Sequence, residues 1–311
     1  MDYITLNKLK MRTKLLSTCI LLLILSSAAF ACDICGSSPG NYFIGPFPQF
    51  GKHFFGTRYT FRSFNSRVDA DATQFSKDFY QTIELWGGWS IGKKWQVIAF
   101  IPYNINRQAS DDGIKSSKGL GDVSVIVNYK ILNKTGNKNN NGISQQLWIG
   151  GGLKLPTGNF NVDPNDIINP DANNEPGTGS VDFLLNAIYA IHINKWGVNS
   201  SINYKVNQSA REYQFGNRFN SSIFLFRTLS RGQTTFNPNA GLLYENLRAN
   251  KLNNLKVDNT GGHALLASAG VEINFSRIAI GFNAQLPVSQ NFSNNQTTTK
   301  IRGMLHLSYT F

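Results

Sequence analysis

Long apolar runs are nearly absent from this chain of 311 residues. One stretch, Leu15 to Leu25, stands near the start. Nothing later approaches the roughly 20 apolar residues that an α-helical membrane span requires, so a membrane-crossing form of the chain crosses as strands. Helical periodicity is scarce throughout. Cysteine is limited to three residues, and one of them, Cys19, lies in the leading stretch, which leaves Cys32 and Cys35. Acidic residues are also few: 18 Asp and Glu stand against 30 Lys and Arg, a formal charge of +12. A surplus of that sign suits nucleic acid, but the Lys and Arg are scattered singly through alternating segments instead of clustering on a helix. No nucleic-acid partner is therefore expected. The cations read as lumen and loop charges that face anionic lipopolysaccharide or an anionic solute.

What is present begins with an export signal. Lys8, Lys10, Arg12 and Lys14 form a basic lead to the apolar stretch, and Ala29-Phe30-Ala31 is a small-x-small cleavage site. Met11 is an alternative start, since the signal is complete from there. Residues 1–31 are expected to be removed. That segment holds four of the thirty basic and one of the eighteen acidic residues, leaving 26 against 17, a formal +9. Residues 32–52 read as a Cys-containing periplasmic leader, aromatic and proline-rich from Asn41 to Phe50, and 53–311 as one large domain.

Within that domain, period-two alternation recurs in segments of about 10 residues separated by Gly, Asn, Asp and Ser clusters. Twelve are predicted, over 53–64, 78–91, 94–105, 119–132, 144–155, 180–192, 195–207, 217–229, 234–246, 263–275, 277–288 and 299–311. Their phase is that of a wall with lipid on one side. Val123, Val125, Val127, Tyr129 and Ile131 oppose Asp122, Ser124, Asn128 and Lys130, with Ile126 the apolar exception. Leu147, Ile149, Gly151, Leu153 and Leu155 oppose Gln146, Trp148 and Lys154, and Ile278, Ile280, Phe282, Ala284 and Leu286 oppose Asn283 and Gln285. The final segment sets Leu305, Leu307, Tyr309 and Phe311 against Arg302, Met304, His306 and Ser308. Aromatic residues near strand ends, Trp89, Trp95, Tyr103, Trp196 and Tyr309 among them, fit interfacial girdles. Connections alternate between tight and long, with 133–143 out of step. A soluble sandwich would have to bury each apolar face under a second layer, and no blade-length repeat supports a propeller. The expected fold is all-β, a transmembrane antiparallel β-barrel of about twelve strands in the outer membrane of a Gram-negative bacterium. Phe311 closes it with a residue of the type that the barrel-insertion machinery reads.

Three stretches punctuate this pattern: Gly119-Leu-Gly-Asp122, Leu153-Lys-Leu-Pro-Thr-Gly158 and Gly177-Thr-Gly-Ser-Val-Asp182. With Ile101-Pro-Tyr103 and Leu286-Pro-Val288, and in this order, they resemble the outer-membrane transporters named after the meta pathway of phenol degradation, over roughly residues 80–311. The resemblance implies an outer-membrane barrel that acts as a transporter or channel. On physical grounds the glycines supply turns at strand starts and the prolines sit near strand ends. No helix follows Gly119 to make a phosphate loop.

Candidate site residues follow from phase. Arg58, Arg62, Glu84, Lys130, Lys154, Lys205 and Arg302 are predicted on the lumen face, where they tune solute selectivity or pair to stabilise the interior. Cys32-Asp-Ile-Cys35 admits four readings: a disulfide, a soft metal ion such as Cu(I) or Zn(II) held by two thiolates, lipidation of Cys32, or a redox pair. His306 and Ser308 stand in a His-x-Ser order like that of outer-membrane phospholipases, but their phase points inward, away from lipid, so no catalytic residue is assigned. His53, His192 and His263 fall at strand ends. Asp163, Asp166, Asp171 and Glu175 in the 156–179 loop are either Ca²⁺ ligands or solvated charge. The leading expectation is a passive channel or transporter for small solutes, without chemistry of its own. Its alternatives are a metal-handling component using Cys32 and Cys35, and a structural surface barrel.

Overall fold

The computed structural model describes residues 51–67, 75–111, 113–136, 142–161 and 171–311. Twelve strands form one barrel: β1 (Phe54–Arg67), β2 (Phe75–Ile91), β3 (Trp95–Ser110), β4 (Ser124–Lys134), β5 (Ile143–Lys154), β6 (Asp182–Ile193), β7 (Trp196–Val206), β8 (Arg218–Arg227), β9 (Thr234–Leu247), β10 (Gly262–Phe275), β11 (Ile278–Phe292) and β12 (Thr297–Thr310). Each pairs antiparallel with the next, and β12 returns to β1 in the register Phe54↔Thr310 to Ser66↔Thr297. The predicted segments and the observed strands correspond one to one.

One local expectation changes. Gly119 and Leu120 do not open β4. They end a separate arm, Gly113–Leu120, which doubles back to pair with the far half of β3, Tyr103↔Leu120 to Ser110↔Gly113. The ladder between β3 and β4 then covers only Trp95↔Tyr129 to Phe100↔Ser124. The physical reason lies at Gly121, where a Cβ would stand 2.6 Å from the Asn104 amide and 3.0 Å from the Pro102 ring. The chain turns there over β3 with no side chain in the way.

Most connections at the end of the barrel holding Phe54 and Thr310 are tight: 92–94, 194–195 and 276–277 are turns, with 228–233 a short hairpin, and the link 135–142 between β4 and β5 is the longer exception. The other long connections leave the opposite end. There four short strands, Ser209–Ala210, Tyr213–Gln214, Lys251–Leu252 and Leu255–Lys256, build a small antiparallel sheet. Phe160, Ala172, Tyr213, Phe215 and Leu252 pack together against it as a separate apolar cluster.

Strict alternation decides which side chains meet which medium. Leu305, Leu307, Ile280, Phe282, Ile149, Leu153, Ile202 and Val127 lie exposed on the outside, while Arg302, His306, Asn283, Trp148, Asn203 and Asn128 are buried inside. Exposed apolar surface that continues round a closed wall is far beyond what a protein surrounded by water carries. It matches a hydrocarbon solvent, in which every backbone group must already be bonded within the ladder. Aromatic residues gather at the tight-turn end, where Trp95 packs on Tyr129 at 4.6 Å and Phe311 lies 5.8 Å from both His53 and Trp89, ring centre to ring centre.

Within the span of β12, Leu305 stands five residues from the end of the strand, near mid-height. Leu305→Arg is expected to lower stability by about 2–4 kcal/mol, the cost of a cation on the lipid face at the midplane. Leu305→Ile is expected to change it by less than about 1.5 kcal/mol. Urea unfolding from lipid vesicles measures both.

Candidate functional site

The inner face of the barrel is divided. On β1 to β4 and β6, Phe54, Trp86, Ile98, Phe100, Ile126, Leu184 and Ile188 form one buried apolar cluster, set among inward polar and charged side chains such as Arg58, Glu84, Gln96 and Asn128. On β7 and β9 to β11 the inner face is amide- and hydroxyl-rich, with Asn199, Asn203, Asn237, Asn239, Ser268, Asn283 and Gln285 all buried inward. Phe224 and Phe226 on β8 interrupt that polar side. The sequence pattern suggested a lumen with Ile126 as the exception on its strand; the structure shows that Ile126 belongs to this apolar cluster.

All seven predicted lumen charges point inward, and partners hold most of them. Arg58 forms a buried ion pair with Glu84, its register neighbour on β2. Its guanidinium carbon lies 5.3 Å from the Trp86 ring centre and 5.6 Å from that of Phe100, so the cation is held between a carboxylate and two aromatic rings. Arg302 Nη2 reaches over β11 and β10 to Glu245 Oε1 on β9 at 2.5 Å, and its Nε donates to Thr299 at 3.0 Å. Lys130 Nζ sits 4.7 Å from the centre of the Trp148 ring on the adjoining strand. Arg62 projects into the same central region, directly opposite Arg302 in register.

Lys154 and Lys205 belong to a second group near the long-loop end, and here the three punctuating motifs meet. Lys154 Nζ lies 2.6 Å from Asp122 Oδ2 and 3.0 Å from Asp182 Oδ2, donates to the Ser180 carbonyl at 2.9 Å, and also bonds the Thr178 hydroxyl. Asp122 in turn accepts from the Thr178 N–H at 2.9 Å and the Gly158 N–H at 3.0 Å. Asp182 accepts from Ser180 at 2.7 Å and the Gln208 N–H at 3.0 Å, with Lys205 Nζ at 3.8 Å. Two cations and two carboxylates thus neutralise one another inside a shell of donors, the arrangement that makes a buried charge tolerable. Gly158 and Gly177 lie against each other so closely that a Cβ on either would stand within 2.8 Å of the other's backbone. The motif glycines therefore hold a close backbone crossing over the charge group.

Two further inward contacts use a glycine on the strand between. Asn186 Nδ2 donates to Asn128 Oδ1 at 2.8 Å across Gly150, and His306 Nε2 lies 2.8 Å from Glu272 Oε2 across Gly281. A side chain at either glycine would occupy the place of the bond. Sequence reasoning missed Asp122, Asp182, Glu245 and Glu272 as site residues. The phase of 234–246 and 263–275 puts Glu245 and Glu272 inside, and Asp122 and Asp182 end two of the motifs. His306 and Ser308 face inward, buried, away from the outer surface.

Among the described residues no group of three or more His, Cys, Asp or Glu is placed to hold a metal ion. Cys32, Cys35, Asp163 and Asp166 lie outside the described residues. At the centre of the lumen a cavity of about 80 Å³ is lined by Arg58, Arg62, Glu84, Asn203, Glu245 and Arg302, among others.

Lys154→Met removes the cation and leaves Asp122 and Asp182 facing each other in a buried place. It is expected to cost about 3–5 kcal/mol, read as a lowered midpoint of urea unfolding. Adding Asp122→Asn should restore part of that loss, since the two changes act on one network.

Neither a family model nor a curated protein matches the chain. Solved structures do. The COG4313 outer membrane channel from Pseudomonas putida F1 superposes with a TM-score of 0.61 at 15% identity, over 88% of this chain and 99% of that one. The β domain of the Bordetella autotransporter BrkA gives 0.47 at 12% identity over 84% and 100%, and the NanC porin 0.43 at 10% over 82% and 100%. The chain has the fold of an outer-membrane β-barrel channel.

Proposed function

We propose that this protein is a passive channel for small solutes in the outer membrane of a Gram-negative bacterium, exported by its first thirty-one residues and without catalysis of its own. One observation carries the reading: a closed wall, apolar outside, encloses a polar side that protein contacts leave incompletely bonded. Asn203 Oδ1, Asn239 Oδ1 and Asn283 Nδ2 are buried with no hydrogen-bond partner among the described residues. Buried amides are nearly always bonded, to protein or to water, so this side of the lumen is one that water wets. The outer-membrane channel fold supports the reading, as does the resemblance of the three motifs to the phenol-pathway transporters.

The geometry also sets a scale. An apolar cluster packs on β1 to β4 and β6, and passage follows the amides of β7 and β9 to β11, past the central cavity and beside the Arg302–Glu245 bridge. A route of that kind suits water, ions and small polar solutes and rejects bulky ones.

Purified protein reconstituted into planar bilayers should show discrete conductance steps. Asn203→Leu combined with Asn239→Leu, which replaces amides on the wetted side by apolar side chains of similar size, should reduce the step size severalfold without loss of folding. Membranes that stay at bare-bilayer conductance with the folded wild-type protein would sink the reading.

A further inference from the structure

We infer that Arg62, in the central cavity, forms a binding site for a small inorganic oxyanion. Three arginines, Arg58, Arg62 and Arg302, and two glutamates, Glu84 and Glu245, line that cavity. Glu84 is engaged by Arg58 and Glu245 by Arg302. Arg62 makes no hydrogen bond or salt bridge among the described residues, and the one carboxylate whose charge reaches it, Glu245, is already bonded by Arg302. Arg62 also stands directly opposite Arg302 on the neighbouring strand, both on the inner face. Like charges so placed destabilise a sheet, and an anion between them turns that repulsion into attraction.

Shape and chemistry agree with such a ligand. A volume of about 80 Å³ is well below the roughly 300–1,000 Å³ of sites for drug-sized molecules. The planar fork of a guanidinium matches two oxygens of a phosphate-like anion. Gln285, Asn203 and Thr60 on the lining can donate to the remaining oxygens. The inference deepens the channel reading and rests on it for its consequence in transport: an anion passing the cavity meets a cation there, and a cation passing it is repelled.

Inorganic phosphate, titrated calorimetrically into the full detergent-solubilised protein, is the probe. Wild type should bind it saturably. Arg62→Gln should weaken binding about tenfold or more, the size of a lost charged hydrogen-bond pair, while Arg62→Lys should keep the charge and part of the affinity. In bilayers under a KCl gradient, the reversal potential should shift towards cation preference in Arg62→Gln, whose unfolding midpoint confirms that it is folded. Absence of saturable phosphate binding by wild type, or equal affinity in Arg62→Gln, overturns the inference. Conductance that persists with either result leaves the channel reading intact, and phosphate binding without conductance overturns the channel reading alone.

Discussion

Everything in this molecule depends on the ladder between its first and last strands. Once β1 and β12 pair, every barrel strand has two neighbours and no edge remains. The backbone is then satisfied within the wall, and the side chains are sorted into two populations that never mix. One population can be uniformly apolar because its solvent is hydrocarbon. The other must solve the opposite problem, since it crowds polar and charged groups into a narrow interior.

Pairing and partition solve that problem together. Most of the interior charges are gathered into small neutral groups, Arg58 with Glu84, Arg302 with Glu245, and Lys154 and Lys205 with Asp122 and Asp182. An apolar cluster packs between these groups on β1 to β4 and β6, and a column of amides lines β7 and β9 to β11. The proposed channel function rests on the remainder, the side that protein contacts leave unsatisfied.

Much of this was legible in the sequence because period-two alternation is a direct image of a two-faced wall. The twelve segments, their phase and the inward direction of all seven charges could be read from spacing alone. The inward aromatics could not. Trp86 and Phe100 occupy positions where alternation calls for polar residues; they are register partners on β2 and β3, and both rings flank the Arg58 guanidinium. Nor does spacing along one strand disclose a contact made across other strands. Arg302 and Glu245 lie 57 positions apart, and their meeting requires the wall to curve across β10 and β11. The motifs were legible as punctuation, but their convergence on Lys154 emerges only when two connections, β3 to β4 and β5 to β6, fold over the same rim. Gly119-Leu120 was assigned to the wrong strand for a related reason, since an arm that doubles back has the same alternation as the strand it precedes.

The bridge from Arg302 to Glu245 spans the two strands between them, so it acts as a chord across part of the barrel's circumference. A chord of fixed length limits how far the wall it subtends can flatten or bow. The width of the lumen at mid-height is therefore held by a side-chain tie as well as by strand number and tilt. Widening the lumen there means first separating a buried charge pair, so in the proposed channel the size limit is an electrostatic quantity as much as a geometric one.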